Sequence, residues 1–186
     1  MTIIGITGSL ASGKSTVAQL IAQKKYPSFS ADKIVSKLYK NRKFINLIVK
    51  KLNLDKKERI KQQIKKIINK NKNKLKILES IIHPLVRKEM KSFLKLKAKI
   101  LILEIPLLIE NKLHKYFDKI VFVDAQKKLR LKRYLRRNNN QNTFRILNQR
   151  QLLSTTKKKT CDIVINNNYS LVILKKNVKK FIEIYE

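Results

Sequence analysis

The chain has 186 residues, 43% of them hydrophobic. That is enough for one core with inserted lobes and too little for two large domains. No apolar run approaches the ~20 residues of a membrane helix, the N-terminus lacks the basic leader of a signal peptide, and one cysteine, Cys161, excludes a disulfide framework or a multi-cysteine zinc site. Lysine and arginine number 45 against 12 acids, a formal charge of +33. Such a charge points either to a polyanion partner or to a solvated lysine-rich surface. The lysines are spread along the whole chain among Ile and Asn, and the aromatics are few and scattered. The expectation is therefore a solvated surface, no specific nucleic-acid partner, no membrane and a cytoplasmic location.

Residues 2–7 read as a short buried strand rich in Ile. A glycine loop over 8–13 follows, then a helix from Lys14 to about Lys25 that Pro27 stops. "SFSAD", 28–32, reads as a short strand ending in an acid. From 33 to 97 strand signal is absent. Leu38, Ile45, Ile48, Val49 and Leu52 recur at helical spacing, as do Ile60, Ile64, Ile67 and Ile68, then Leu75, Leu78, Ile81 and Ile82. Breaks are predicted at 53–55, at 69–73 and at His83-Pro84. This run is too long for one crossover and predicts an inserted helical lobe. Strands follow at 99–105 and 118–125, both nearly continuous apolar runs of the kind that lie in parallel sheets covered on both faces. A basic helix over 126–137, a turn at 138–142, a second basic helix over roughly 143–158, a strand at 161–167 and a closing helix over 170–185 complete the chain. Alternating strands and helices predict a doubly wound parallel sheet.

"GSLASGKST", 8–16, places Gly8, Gly13, Lys14 and Ser15 in the pattern G-x-x-x-x-G-K-[ST]. Such a loop turns backbone N–H groups around phosphate oxygens, and the helix after it adds its positive end. The lysine reaches the β- and γ-phosphates and the serine places a hydroxyl on Mg²⁺. A strand before and a helix after supply the context this motif needs. The expected nucleotide-binding set is Gly8, Ala11, Ser12, Gly13, Lys14, Ser15 and Thr16, with ATP as ligand and Mg²⁺ held at Ser15. The base-reading Asn-Lys-x-Asp of GTP-binding proteins is missing. "NKNKNK", 69–74, follows no strand and has no acid. A small-molecule kinase fits better, and it needs a Mg²⁺ site, an acid that orients the acceptor hydroxyl, and arginines. Asp32 is the best acid for the hydroxyl. As the residue before a helix it would equally serve as an N-cap. Glu104 and Asp124 end strands, where each would either hold Mg²⁺ through water or make a strand-end polar contact.

These motifs, taken together, resemble the dephospho-CoA kinase family. The family opens G-[ILV]-T-G-G-I-G-S-G-K-S-T, against "GITGSLASGKST" here. Its D-A-D segment is matched by "SAD", with Ser30 for the first acid and Asp32 for the second. H-P-x-[IV]-R is matched by "HPLVR", 83–87, and P-L-L-x-E by "PLLIE", 106–110. An R-x-x-x-R helix is matched by Arg133 and Arg137, and the terminal pattern by Gln151, Lys157, Asp162, Val164, Ile165 and Asn167. The resemblance implies an α/β, P-loop NTPase-like parallel sheet flanked by helices. It implies a core of 1–37, 98–125 and 159–186, a substrate lobe of 38–97 and a lid of 126–158. It implies transfer of the γ-phosphate of ATP to the 3′-hydroxyl of dephospho-CoA. Catalysis would fall to Asp32, Lys14, Arg133 and Arg137, and substrate binding to Asp32, His83 and Arg87.

Besides Ser30, the chain departs from the family pattern at four places. Ser9 and Ala11 stand where the family has glycines. Asp55 and Arg59 are the only echoes of a D-G-x-[LI]-x-R segment, and Asn166 replaces a late acid. Three other readings stay open at the level of sequence. One is a nucleoside monophosphate kinase, for which the lobe offers Arg42, Arg59 and Arg87. Another is a basic nucleic-acid-binding P-loop ATPase. The third is a decayed kinase kept as a binding protein.

Overall fold

The computed structural model describes residues 1–55, 59–137 and 140–185. Five strands, β1 (Thr2–Gly8), β2 (Ser28–Ser30), β3 (Ile100–Glu104), β4 (Lys119–Asp124) and β5 (Ile163–Asn166), form one sheet in the order β2-β3-β1-β4-β5. Every pairing is parallel. Ile4 stands opposite Ile102 on one side and Lys119 on the other. The five residues of β3 are all buried, which is why that strand carries no polar alternation.

Helices α1 (Lys14–Ala22) and α9 (Leu171–Ile182) cover one face of the sheet. Leu174, Val178 and Phe181 recur at helical spacing on α9 and join Val17, Ile21, Ile4, Ile6, Ile100, Ile102, Val121 and Val123 in the main core. Each such apolar side chain contributes about 1.5–3 kcal/mol by leaving water. A second small cluster gathers Ala11, Tyr134 and Phe144 with Leu10, Leu131 and Leu147. It joins α6 (Lys127–Leu135) and α7 (Gln141–Gln149) to the loop after β1.

The chain divides into two compact units, one of Met1–Ser30 with Leu96–Glu186 and one of Ala31–Lys95. The second is wholly helical: α2 (Ala31–Leu38), α3 (Arg42–Leu52), α4 (Ile60–Lys70) and α5 (Lys72–Phe93). Phe44, Ile48 and Leu52 of α3 pack with Ile64, Ile67, Leu75 and Leu78. Asn41 caps α3 by accepting the Phe44 N–H at 3.2 Å, and Asn71 caps α5 by accepting the Lys74 N–H at 2.9 Å. Among the described residues no helix is long and apolar enough to cross a membrane.

The sheet and its helices follow the order expected from sequence, with several corrected boundaries. The break expected at His83-Pro84 is absent: α5 runs through Pro84, which removes the N–H that would bond to the Ser80 carbonyl without ending the helix. The basic helix expected over 126–137 stops at Leu135, where the Arg137 N–H turns back to the Tyr134 carbonyl at 3.2 Å. The helix expected over 143–158 is two, α7 and α8 (Ser154–Thr160). Between them Leu152 gives its N–H to Glu110 Oε1 at 3.2 Å instead of to a helical carbonyl. The side chain of Ile68 and residues 138–139 of the expected turn lie outside the described residues.

Candidate active site

The loop Ser9–Gly13 leaves the C-terminal end of β1, where the strand order reverses and doubly wound sheets bind ligands. Gly13 is the N-cap of α1 at φ 98°, ψ 22°, a left-handed conformation that favours glycine. A Cβ on Gly8 would stand 2.5 Å from the Val123 carbonyl oxygen, so no larger residue fits there. The first turn of α1 has no acid, so its positive end is left unneutralised by its own side chains. Its first N–H groups lack intrahelical partners, which makes the helix start an anion site. Lys14 is buried, with Nζ donating to the Ser9 carbonyl at 3.0 Å across the loop. Ser12 Oγ is buried inside the loop with no hydrogen-bond partner among the described residues.

Glu104, at the end of β3, is 3% exposed. Its Oε1 accepts the Ser15 hydroxyl at 2.6 Å and its Oε2 the Ser30 hydroxyl at 2.9 Å. The sequence left Glu104 and Asp124 as equals. Asp124 is instead taken by Lys158 at 2.6 Å, and Glu104 alone of the two touches the motif serine. A lone hydroxyl and carboxylate suit a cation that draws its other ligands from phosphate oxygens and water, as Mg²⁺ does. Among the described residues no cluster of three or more His, Cys, Asp or Glu offers an all-protein metal site.

The segment after β4 stitches itself to the outer side of the loop. Arg130 is buried and donates through NH1 to the Leu10 carbonyl at 3.2 Å and to Asn148 Oδ1 at 2.8 Å. Burial lowers its pKa, against which Asp124 acts. Gln151 Oε1 accepts the Leu10 N–H at 2.9 Å, and the hydroxyls of Ser9 and Ser154 meet at 3.0 Å. Arg133 donates to the Ser12 carbonyl at 3.4 Å and to the Asn167 carbonyl at 2.9 Å. Burial, and next the like charge of Arg137, lower the Arg133 pKa. Arg137 itself is exposed and lies past the end of α6, close enough for its charge to act on Arg133. Lys157, fully buried, pairs with Glu110 Oε1 at 2.5 Å.

Three expected site residues belong to the helical unit. Asp32 is exposed in the first turn of α2, neither the end of a strand nor an N-cap, because β2 stops at Ser30 and helix begins at Ala31. A carboxylate there is favoured by the helix dipole. His83 and Arg87 sit one turn apart on α5, the first half-buried and the second exposed. Sequence reasoning named Gln151 and Asn167 only as matched positions and passed over Arg130, whose arginine in a basic helix carries no distinguishing signal.

A parallel sheet of this order, with a G-x-x-x-x-G-K-S loop between its first strand and first helix, defines a P-loop phosphotransferase fold. Comparison with known proteins narrows the class. The family model for dephospho-CoA kinase matches residues 2–172, and the chain belongs to that family. It is 36% identical over 178 residues to the dephospho-CoA kinase of Bartonella henselae, covering 92% of this chain and 91% of that one. Among solved structures, TT1252 from Thermus thermophilus superposes with a TM-score of 0.78 at 27% identity, over 98% and 97% of the two chains. Dephospho-CoA kinase from Campylobacter jejuni gives a TM-score of 0.67 at 26% identity, over 100% and 97%. The protein is a kinase that uses ATP to convert dephospho-CoA to coenzyme A, the last step of coenzyme A biosynthesis.

Proposed function

We propose that transfer is a direct in-line displacement, with no phosphoenzyme, from ATP to the 3′-hydroxyl of the dephospho-CoA ribose. The observation that supports this most is the pairing of Ser15 with Glu104 beside a buried lysine and a helix start. The loop amides, Gly8, Ala11, Ser12, Gly13 and Thr16 hold the triphosphate, and Lys14 balances its β- and γ-charges. Ser15 and Glu104 would hold Mg²⁺ at this place, and the ion when bound would supply charge neutralisation on the transferring group. Asp32 orients the acceptor hydroxyl and takes its proton. Arg133 and Arg137 counter the charge that builds on the equatorial oxygens.

The helical segment 38–97 binds the substrate, with His83 and Arg87 as its polar contacts. The segment 126–158 acts as the lid that excludes water before transfer. The protein works in the cytoplasm without a nucleic-acid partner, and its charge is a solvated surface. ATP consumption with dephospho-CoA, AMP or no acceptor, measured beside Asp32→Asn, tests this reading. Turnover with dephospho-CoA alone, lost in the variant, supports it. Turnover that persists in the variant removes Asp32 from the mechanism, and stimulation by added RNA overturns the view of the charge.

A further inference from the structure

Asn167, in the turn after β5, is 7% exposed and ties three parts of the chain together. Its own N–H donates to the Asp124 carbonyl at 2.8 Å, which fixes its backbone at the end of β4. Its Nδ2 donates to the Ser12 carbonyl at 2.8 Å, and its carbonyl accepts Arg133 at 2.9 Å. The Arg133 NH1 reaches the same Ser12 carbonyl at 3.4 Å. The consequence lies in the peptide plane. In a trans peptide the C=O of one residue and the N–H of the next point to opposite sides. The chain has no cis peptide among its described residues. A Ser12 carbonyl held toward Asn167 therefore aims the Gly13 N–H away from it, at the start of α1 where phosphate donors collect. Gly13 is the residue least able to hold that plane by itself, since glycine populates both signs of φ. It must also stay glycine: a Cβ there would stand 2.2 Å from Asn167 Nδ2.

We propose that Asn167 is a positioning residue for phosphoryl transfer, which sets the Ser12–Gly13 peptide plane and holds Arg133 against the loop. The proposal rests on the reading of the loop as the site of the ATP triphosphate. It places one determinant of phosphate affinity outside the loop, on the far side of β4. No contact of Asn167 with nucleotide is required, because it acts through the orientation of a donor on another residue.

The test uses the full chain as wild type, Asn167→Ala, Asn167→Asp and Lys14→Ala. Binding of inorganic tripolyphosphate is measured together with the KM for ATP, the KM for dephospho-CoA and thermal stability. Asn167→Ala is expected to weaken tripolyphosphate binding and raise the ATP KM by about tenfold each, the worth of one oriented hydrogen bond. The dephospho-CoA KM stays within about twofold, since that substrate makes no use of the Gly13 amide. Asn167→Asp keeps the shape and the acceptors near Arg133 but turns an oxygen toward the Ser12 carbonyl. It is expected to lose at least as much phosphate affinity, and it serves as the reading if the alanine variant does not fold. Folded variants that bind tripolyphosphate like wild type overturn the proposal, as does an equal loss for both substrates, the mark of a merely structural role. Lys14→Ala separates the two levels. If it leaves tripolyphosphate binding intact, the loop reading itself fails; if it abolishes binding while the Asn167 variants do not, only the positioning role falls.

Discussion

The Ser15 hydroxyl donates to Glu104 across 2.6 Å, so the start of α1 and the end of β3 share one hydrogen bond at the loop. Ser30 occupies the other carboxylate oxygen, in the position where the family pattern carries an acid. One carboxylate here thus serves two hydroxyls. Glu104→Gln keeps the shape and removes the charge. The Mg²⁺ concentration needed for half-maximal ATP turnover should rise by roughly 10–100-fold, the usual cost of losing an outer-shell partner. A Mg²⁺ titration of turnover checks it, and an unchanged midpoint would show that Glu104 only orients Ser15.

Ala11 replaces a family glycine, and its φ of 59° shows why glycine suits that place. Left-handed backbone costs a residue with a Cβ about 1–2 kcal/mol. Against this, the Ala11 methyl is buried with Tyr134 and Phe144, worth about 0.8 kcal/mol, and alanine loses less chain entropy than glycine on folding, worth about 0.4–1 kcal/mol. The effects nearly cancel. Ala11→Gly should therefore leave unfolding free energy within about 1 kcal/mol of wild type by urea denaturation. Ala11→Val keeps the strain and adds β-branching, and should destabilise by more than about 2 kcal/mol.

Lys157 is the one fully buried ammonium among the described residues, and Glu110 answers it at 2.5 Å. Glu110 Oε2 has no hydrogen-bond partner among the described residues, so the pair depends on the other oxygen. Lys157→Met should cost about 3–5 kcal/mol, because it strands a largely buried carboxylate. Adding Glu110→Gln keeps an acceptor for the Leu152 N–H while removing the stranded charge, and should recover about 2 kcal/mol. A double-mutant cycle by urea unfolding reads both numbers.

The loop and the sheet were legible in the sequence because both are written locally. Gly8, Gly13, Lys14 and Ser15 lie within one short window, and the Ile-rich runs of β1 and β3 are buried on both faces. What could not be read depends on long-range placement. Glu104 is 89 residues from Ser15 and Asn167 is 155 from Ser12. No periodicity links such pairs. The gap between α7 and α8 was missed for the same reason, since Glu110 captures the Leu152 amide from a distant segment. Pro84 misled in the other direction: a local helix breaker sits in α5, whose apolar face is held by α3 and α4.

Cys161 lies beside this ion pair, and its thiol is pushed up to about 11 from 9.0. Burial is the main cause, and the charges of Asp162 and Glu110 add to it while Lys157 opposes them. A raised pKa means that the fold favours the protonated thiol. Its contribution to stability is whole below pH 9 and is lost as pH rises through about 11. Only the thiolate alkylates, so iodoacetamide at pH 8.5 should modify the native thiol about a hundredfold more slowly than the unfolded one. Asp162→Asn separates charge from burial. It keeps an acceptor for the Ile120 N–H, now 2.7 Å from Asp162 Oδ2, and removes one of the charges that hold the proton on. Alkylation of this variant should be faster than wild type at equal unfolding free energy. An unchanged rate would remove the Asp162 charge from the causes and leave the shift to burial and Glu110.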